Sequence, residues 1–213
     1  MSLDFIIFDL DDTLYPRDTG LMQEIGRRIH VWVCEHLGLT WEEAVALRRD
    51  YFRRYGTTLG GLMDKHGVAP EGYLTFVHDI PVGEFVEPNP ALVSMLDALP
   101  LRRAVYTNAT SEYARRVLGA IGVDGQFERV FGIQEVDLYT KASRDGYRRV
   151  LALLGTRGPA CVMVEDTVPN LRAARALGMT TVLVDGEPAP WVDFAVASVL
   201  DVEGVVDALL HPA

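Results

Sequence analysis

The stretch Phe5-Ile6-Ile7-Phe8-Asp9-Leu10-Asp11-Asp12-Thr13-Leu14-Tyr15-Pro16 runs four large apolar residues directly into three carboxylates. An apolar run with no polar alternation reads as a strand covered on both faces, the pattern of a parallel sheet between helices. The acids at its end are a different matter. Two carboxylates about 4 Å apart repel by about 4 kcal/mol at an effective dielectric of about 20. Such a cluster is tolerable only if some members are protonated or a cation sits among them.

Three further runs share the strand texture: Arg102–Thr107, Cys161–Glu165 and Thr180–Asp185. Helical stripes lie between them, on Tyr113, Val117 and Ile121, then on Tyr147, Val150, Leu151 and Leu154. Another helix is expected to start near Pro169 and stop at Gly178. This alternation predicts a doubly wound, Rossmann-like α/β fold built on a parallel sheet. Residues 20 to 80 read differently. Leu21, Ile25, Ile29 and Trp32 form one helical stripe, and Thr40 with Glu43 forms a capping box ahead of a second stripe on Ala44, Leu47, Tyr51 and Tyr55. Glycines in "YGTTLGGL" interrupt before one more short helix in "EGYLTFVHDI". The expected division is an α/β core over 1–16 and 87–213 with a small all-helical cap over 17–86. Because the insert leaves after the first strand and returns before the second, it is expected above the carboxyl edge of the sheet, where such folds bind ligands.

Composition narrows the partners. Thirty acids against twenty bases give a formal charge of −10, which repels phosphate backbones and argues against a nucleic-acid duplex. No apolar run approaches the roughly 20 residues of a membrane span, and the expected location is cytoplasmic. Cys34 and Cys161 stand apart in apolar settings and are expected to be buried structural thiols. Neither histidine spacing nor a glycine-rich loop suggests a zinc site, a nicotinamide cofactor or a P-loop.

In a parallel sheet, Asp9 and Asp11, Thr107 and Asn108, and Glu165 and Asp166 all come to one edge. An all-oxygen carboxylate set selects a hard ion, and Mg²⁺ is the usual one where phosphate is also bound. At these residues the chain resembles the haloacid dehalogenase-like phosphohydrolases. "DLDDT" is similar to their first motif, "YTN" at Tyr106–Asn108 to the second, Lys141 to the lysine of the third, and "EDTVPN" at Glu165–Asn170 to the fourth, in family order. The insert resembles the type-1 cap, and "FDLDDTLYP" with "YGTTLGGL" and "FVH" resembles the pyrimidine 5′-nucleotidase subgroup. Ala142 stands where a proline is common, and Glu165 where aspartate is frequent.

The resemblance implies a Mg²⁺-dependent phosphomonoesterase. Asp9 is the implied nucleophile, Asp11 the general acid and base, Thr107 a phosphate-oxygen ligand and Lys141 the neutralising cation. Asp9, the backbone carbonyl of Asp11, and Asp166 are the implied metal ligands, supported by Thr13, Glu165 and Asn170. Asn108, Thr57 and Thr58 are expected at a small phosphorylated metabolite, most readily a nucleoside 5′-monophosphate with pyrimidine favoured. Lys141 and Lys65 are the only lysines among the twenty basic residues, so a compact ammonium has been kept at that position in an otherwise arginine-based chain. The arginine pairs Arg27–Arg28, Arg48–Arg49 and Arg53–Arg54 read as solvated faces, and Asp12 as structural. Tyr15 and His78 are further candidates near the lid. Rival readings are a sugar-phosphate phosphatase or phosphomutase, a haloacid dehalogenase, which has no use for Asp11, and a binding or regulatory module without turnover.

Overall fold

A computed structural model describes residues 3–211. Its core is a six-stranded sheet in the order β3-β2-β1-β4-β5-β6, with every neighbouring pair parallel. The strands are β1 (Phe5–Phe8), β2 (Arg102–Tyr106), β3 (Arg129–Phe131), β4 (Cys161–Glu165), β5 (Thr180–Val184) and β6 (Phe194–Val196). All residues of β1 and β4 are buried, as the unbroken apolar runs require. The sequence reading anticipated four strands; β3 and β6 are additions. Both are three-residue edge strands, with Arg129 and Ala195 exposed, so they carry no continuous apolar signal.

Alternation along each strand divides the core between the two faces of the sheet. Ile6, Phe8, Val105, Val162 and Val164 pack on α5 (Pro90–Ala98), α6 (Ser111–Ala120) and α9 (Val202–Leu210). Phe5, Ile7, Ala104, Tyr106 and Met163 pack on α7 (Arg144–Leu154) and α8 (Val168–Arg175). Each large side chain withdrawn in this way contributes roughly 1.5–3 kcal/mol. Helix α8 opens with Pro169 in its first turn, and Gly178 at φ +82° follows its end, near the boundaries expected.

Four helices fill the insert: α1 (Leu21–Leu37), α2 (Trp41–Tyr55), α3 (Thr58–His66) and α4 (Pro70–His78). The capping box at Thr40 and Glu43 is formed in both directions. Trp32, Val33, Tyr51, Leu62, Tyr73 and Val77 make a separate apolar cluster that also takes in Ile133 of the core. Leu21 and Ile25 at the start of α1, and Ile80 to Val86 after α4, instead join the core cluster. Cys161 is buried, whereas Cys34 on α1 packs at the margin of the helical cluster and is only half-buried; both thiols are free. No helix among the described residues is long and apolar enough to cross a membrane.

Candidate active site

The sheet register positions the acids. Phe8 pairs with Val105 on one side and Val164 on the other, so the next residue, Asp9, stands level with Tyr106 and Glu165. The order of the strands reverses between β1 and β4, and a crevice opens there at their carboxyl ends. Asp9 donates its backbone N–H to the Val164 carbonyl at 2.9 Å, which ties the carboxylate to the strand end.

Asp9, Lys141 and Glu165 form a buried ionic cluster. Lys141 Nζ lies 2.8 Å from Glu165 Oε2 and also pairs with Asp9 Oδ1. Asp9 Oδ1 further accepts the Leu10 N–H at 2.6 Å, while no hydrogen bond reaches Oδ2 among the described residues. Glu165 Oε1 accepts the Thr167 N–H at 3.1 Å, so both oxygens of that carboxylate are engaged. Burial pushes the Asp9 carboxyl up to about 6, against the opposing pull of Lys141. For Lys141, burial alone would lower the pKa, but the charges of Asp9 and Glu165 overcome it and hold the ammonium protonated.

Asp11 sits differently. Its Oδ1 accepts two phenolic hydrogen bonds, from Tyr15 at 2.7 Å and Tyr113 at 2.9 Å, and Thr107 Oγ1 is 3.5 Å from Oδ2. Burial raises the Asp11 pKa, and the two phenols oppose the rise. With Oδ1 doubly occupied, a proton on this carboxyl belongs on Oδ2, the oxygen beside Thr107.

Asp9, Glu165 and Asp166 offer carboxylate oxygens that all lie within 4.8 Å of one another. Such a set of hard donors fits a divalent cation of the Mg²⁺ class. Both Glu165 oxygens are bonded, to Lys141 and to a backbone N–H; both Asp166 oxygens are engaged as well, one of them by a side chain at the surface, and Asp9 Oδ2 accepts no hydrogen bond among the described residues. Asp166 accepts from Thr167 Oγ1 at 3.0 Å and pairs with the exposed Arg17 at 2.8 Å.

A family model described as haloacid dehalogenase-like hydrolase matches residues 3–178. The chain belongs to the haloacid dehalogenase-like hydrolases. A glyceraldehyde 3-phosphate phosphatase of Methanocaldococcus jannaschii is 25% identical over 96% of this chain and 97% of its own length. Phosphate metabolism protein 8 of Saccharomyces cerevisiae is 22% identical over 83% of this chain; the match spans only 60% of the yeast protein. Among solved structures, a haloacid dehalogenase-like protein of unknown function from Agrobacterium tumefaciens superposes with a TM-score of 0.66, at 18% identity, covering 99% of this chain and 100% of that one.

In this hydrolase a cavity of about 310 Å³ lies between core and cap. Asp9, Asp11, Thr107, Asn108, Lys141, Glu165, Asp166 and Asn170 line it from below, and Thr57 and Thr58 from above. Thr13 is buried, with no partner for its Oγ1 among the described residues, and does not line the cavity. Asn108 Oδ1 accepts the Lys141 backbone N–H at 2.9 Å, so this residue also fixes the loop that carries the lysine. Thr57 caps α3, accepting from the Gly60 N–H at 3.1 Å. Just ahead of it, Gly56 at φ +80° presses the cap onto the lysine loop: a Cβ there would lie 2.8 Å from Thr140 Oγ1 and 2.9 Å from the Ala142 Cβ. An unhindered glycine is required by both the backbone and the contact.

Several of this hydrolase's site residues escape a reading of the sequence. Tyr113 reads there only as part of a core stripe, yet its hydroxyl emerges at Asp11. Arg17 carries no motif signal. Arg48, read as solvated, lines the cavity, whereas Arg27, Arg53 and Arg54 do pair at the surface with Glu24 and Asp50. Asp12, at φ +59°, also lines the cavity, and burial lifts its carboxyl to about 6. His78 lines the cavity as well; its ring lies 4.8 Å from that of Tyr113, and burial lowers its pKa to about 4.

Proposed function

We propose that this chain is a phosphomonoesterase acting on small phosphorylated metabolites through an aspartyl phosphate, with nucleoside 5′-monophosphates, pyrimidine favoured, as substrates. The observation that carries the reading is the inequality of the two oxygens on each of two neighbouring carboxylates. Asp9 Oδ1 is pinned by Leu10 and Lys141 while Oδ2 is left for attack on phosphorus; Asp11 Oδ1 is pinned by two phenols while Oδ2 is left to carry a proton. The first carboxylate serves as nucleophile, splitting one displacement into two. The second protonates the leaving oxygen, then takes a proton from the hydrolytic water.

Lys141 balances the charge of Asp9 and of an incoming phosphoryl group, and the Thr107 hydroxyl stands ready to donate to a phosphoryl oxygen. Mg²⁺ suits the acid set, held by Asp9, Asp166 and the Asp11 backbone carbonyl, and when bound supplies a Lewis acid that lessens the repulsion between nucleophile and phosphate. Apolar side chains on the cap side of the cavity, among them Met22, Ile25, Ile29 and Leu74, favour an organic leaving group over inorganic polyphosphate. A second reading, a triose- or sugar-phosphate phosphatase, is favoured by the archaeal relative that matches over nearly its whole length.

Phosphate release from CMP, UMP, AMP and ribose 5-phosphate in the presence of Mg²⁺ tests both. A nucleotide preference in kcat/KM is expected, with release from every ester abolished in Asp9→Asn. A preference of about tenfold or more for ribose 5-phosphate transfers the assignment to the second reading, and release unaffected by Asp9→Asn overturns the nucleophile.

A further inference from the structure

Arg48 and Phe52 stand one turn apart on the same face of α2, and both line the cavity above Asp9. Neither is explained by the packing of the cap. Arg48 is half-buried and makes no hydrogen bond or ion pair among the described residues, while its neighbours Arg53 and Arg54 both bind Asp50. A guanidinium withdrawn from water without a partner opposes folding, and burial lowers its pKa accordingly. Phe52 is a large apolar ring left 54% exposed.

Helix α1 makes the space that Arg48 occupies. A Cβ on the buried Gly26 would lie 2.8 Å from Arg48 Nη1 and 3.1 Å from Cζ. Glycine inside a helix is less favourable than alanine, so α1 forgoes intrinsic stability at the point where the guanidinium passes. With His78 neutral, Arg48 is the only charged side chain among the described residues that the cap presents to the cavity.

We propose that α2 selects the substrate, Phe52 stacking on a planar unsaturated leaving group while the Arg48 guanidinium donates to hydrogen-bond acceptors on the edge of that group. The assignment rests on the phosphomonoesterase reading and deepens it. A pyrimidine ring offers a flat face together with carbonyl oxygens at its rim, and a planar fork of donors matches such an edge better than an ammonium does. A saturated sugar phosphate offers neither feature.

The test is steady-state kinetics of the full chain with Mg²⁺ on CMP and ribose 5-phosphate, for wild type, Arg48→Met, Arg48→Lys, Phe52→Leu and Gly26→Ala. Loss of charge-assisted hydrogen bonds predicts that Arg48→Met lowers the CMP to ribose 5-phosphate ratio of kcat/KM by about tenfold to a hundredfold, carried by KM for CMP. Arg48→Lys restores only part of the ratio. Gly26→Ala lowers the ratio without lowering the melting temperature, a combination that a merely structural glycine would not produce. A wild type that prefers CMP, with a ratio untouched by Arg48→Met, overturns the role of α2 and leaves the nucleotide reading standing. A wild type that prefers ribose 5-phosphate overturns both. If neither ester is hydrolysed, the nucleotidase reading falls, and calorimetric titration with CMP decides the role of α2 alone: about tenfold weaker binding by Arg48→Met supports it, and equal affinity overturns it.

Discussion

The Tyr113 hydroxyl donates to Asp11 Oδ1 at 2.9 Å across 102 positions of chain, and the Tyr15 hydroxyl donates to the same oxygen at 2.7 Å. The two phenols thus fix the orientation of Asp11 and leave its Oδ2 with a single long contact of 3.5 Å, from the Thr107 hydroxyl, among the described residues. Tyr113→Phe is expected to lower kcat roughly tenfold through a freed carboxylate while costing only about 1 kcal/mol of stability. Steady-state kinetics beside thermal melts check this. A loss seen in KM alone would show that the phenol does not orient the acid.

Lys141 holds two buried carboxylates together. Its replacement by methionine leaves Asp9 and Glu165 without a counter-charge, and breaking a buried pair in this way costs about 3–5 kcal/mol. The lost stability should be largest above neutrality and shrink as pH falls, because the stranded carboxylates then take up protons. Chemical denaturation of variant and wild type at two pH values measures the difference; kcat should fall by about 10²–10³.

The Asp9 carboxyl, at about 6, sets a pH window for cation binding. A protonated carboxyl does not ligate a divalent ion, so binding releases a proton and weakens below that value. Millimolar Mg²⁺ is expected to raise the melting temperature of the protein clearly above pH 6 and progressively less below it. Asp9→Asn should remove the effect at every pH. A thermal shift of equal size on both sides of the window would place the ion elsewhere.

His78 gives the opposite slope to the buried acids. Its pKa falls from 6.5 to about 4 on burial, so the unfolded chain binds the extra proton between those values. Stability from this group is fully present above pH 6.5 and is lost as pH falls toward about 4, by roughly 3 kcal/mol in all. The raised Asp9 and Asp12 favour the folded state over the same range, so the comparison must be made by difference. The stability gap between wild type and His78→Gln should change with pH by that amount; a constant gap would mean that the imidazole is protonated in the fold.

Local pattern alone determined the frame of this protein. The continuous apolar runs of β1 and β4, the capping box ahead of α2 and the short motifs that carry Asp9, Thr107, Lys141 and Asp166 are each read within a few residues, because burial on both faces and helix capping act over that distance. The cavity they line was foreseeable once the strands were known to be parallel, since the carboxyl ends then share an edge.

Tertiary structure decided the rest. Whether a residue on a helix meets the site or the solvent depends on how that helix is rotated against its neighbours, and one position along α2 turns a side chain by about 100°. Arg48 therefore enters the cavity while Arg49 stays exposed, though the two are chemically identical in the chain. The Tyr113–Asp11 and Lys141–Glu165 partnerships are of the same kind: each joins groups separated by long stretches of sequence, and only the packed sheet brings them within hydrogen-bonding distance.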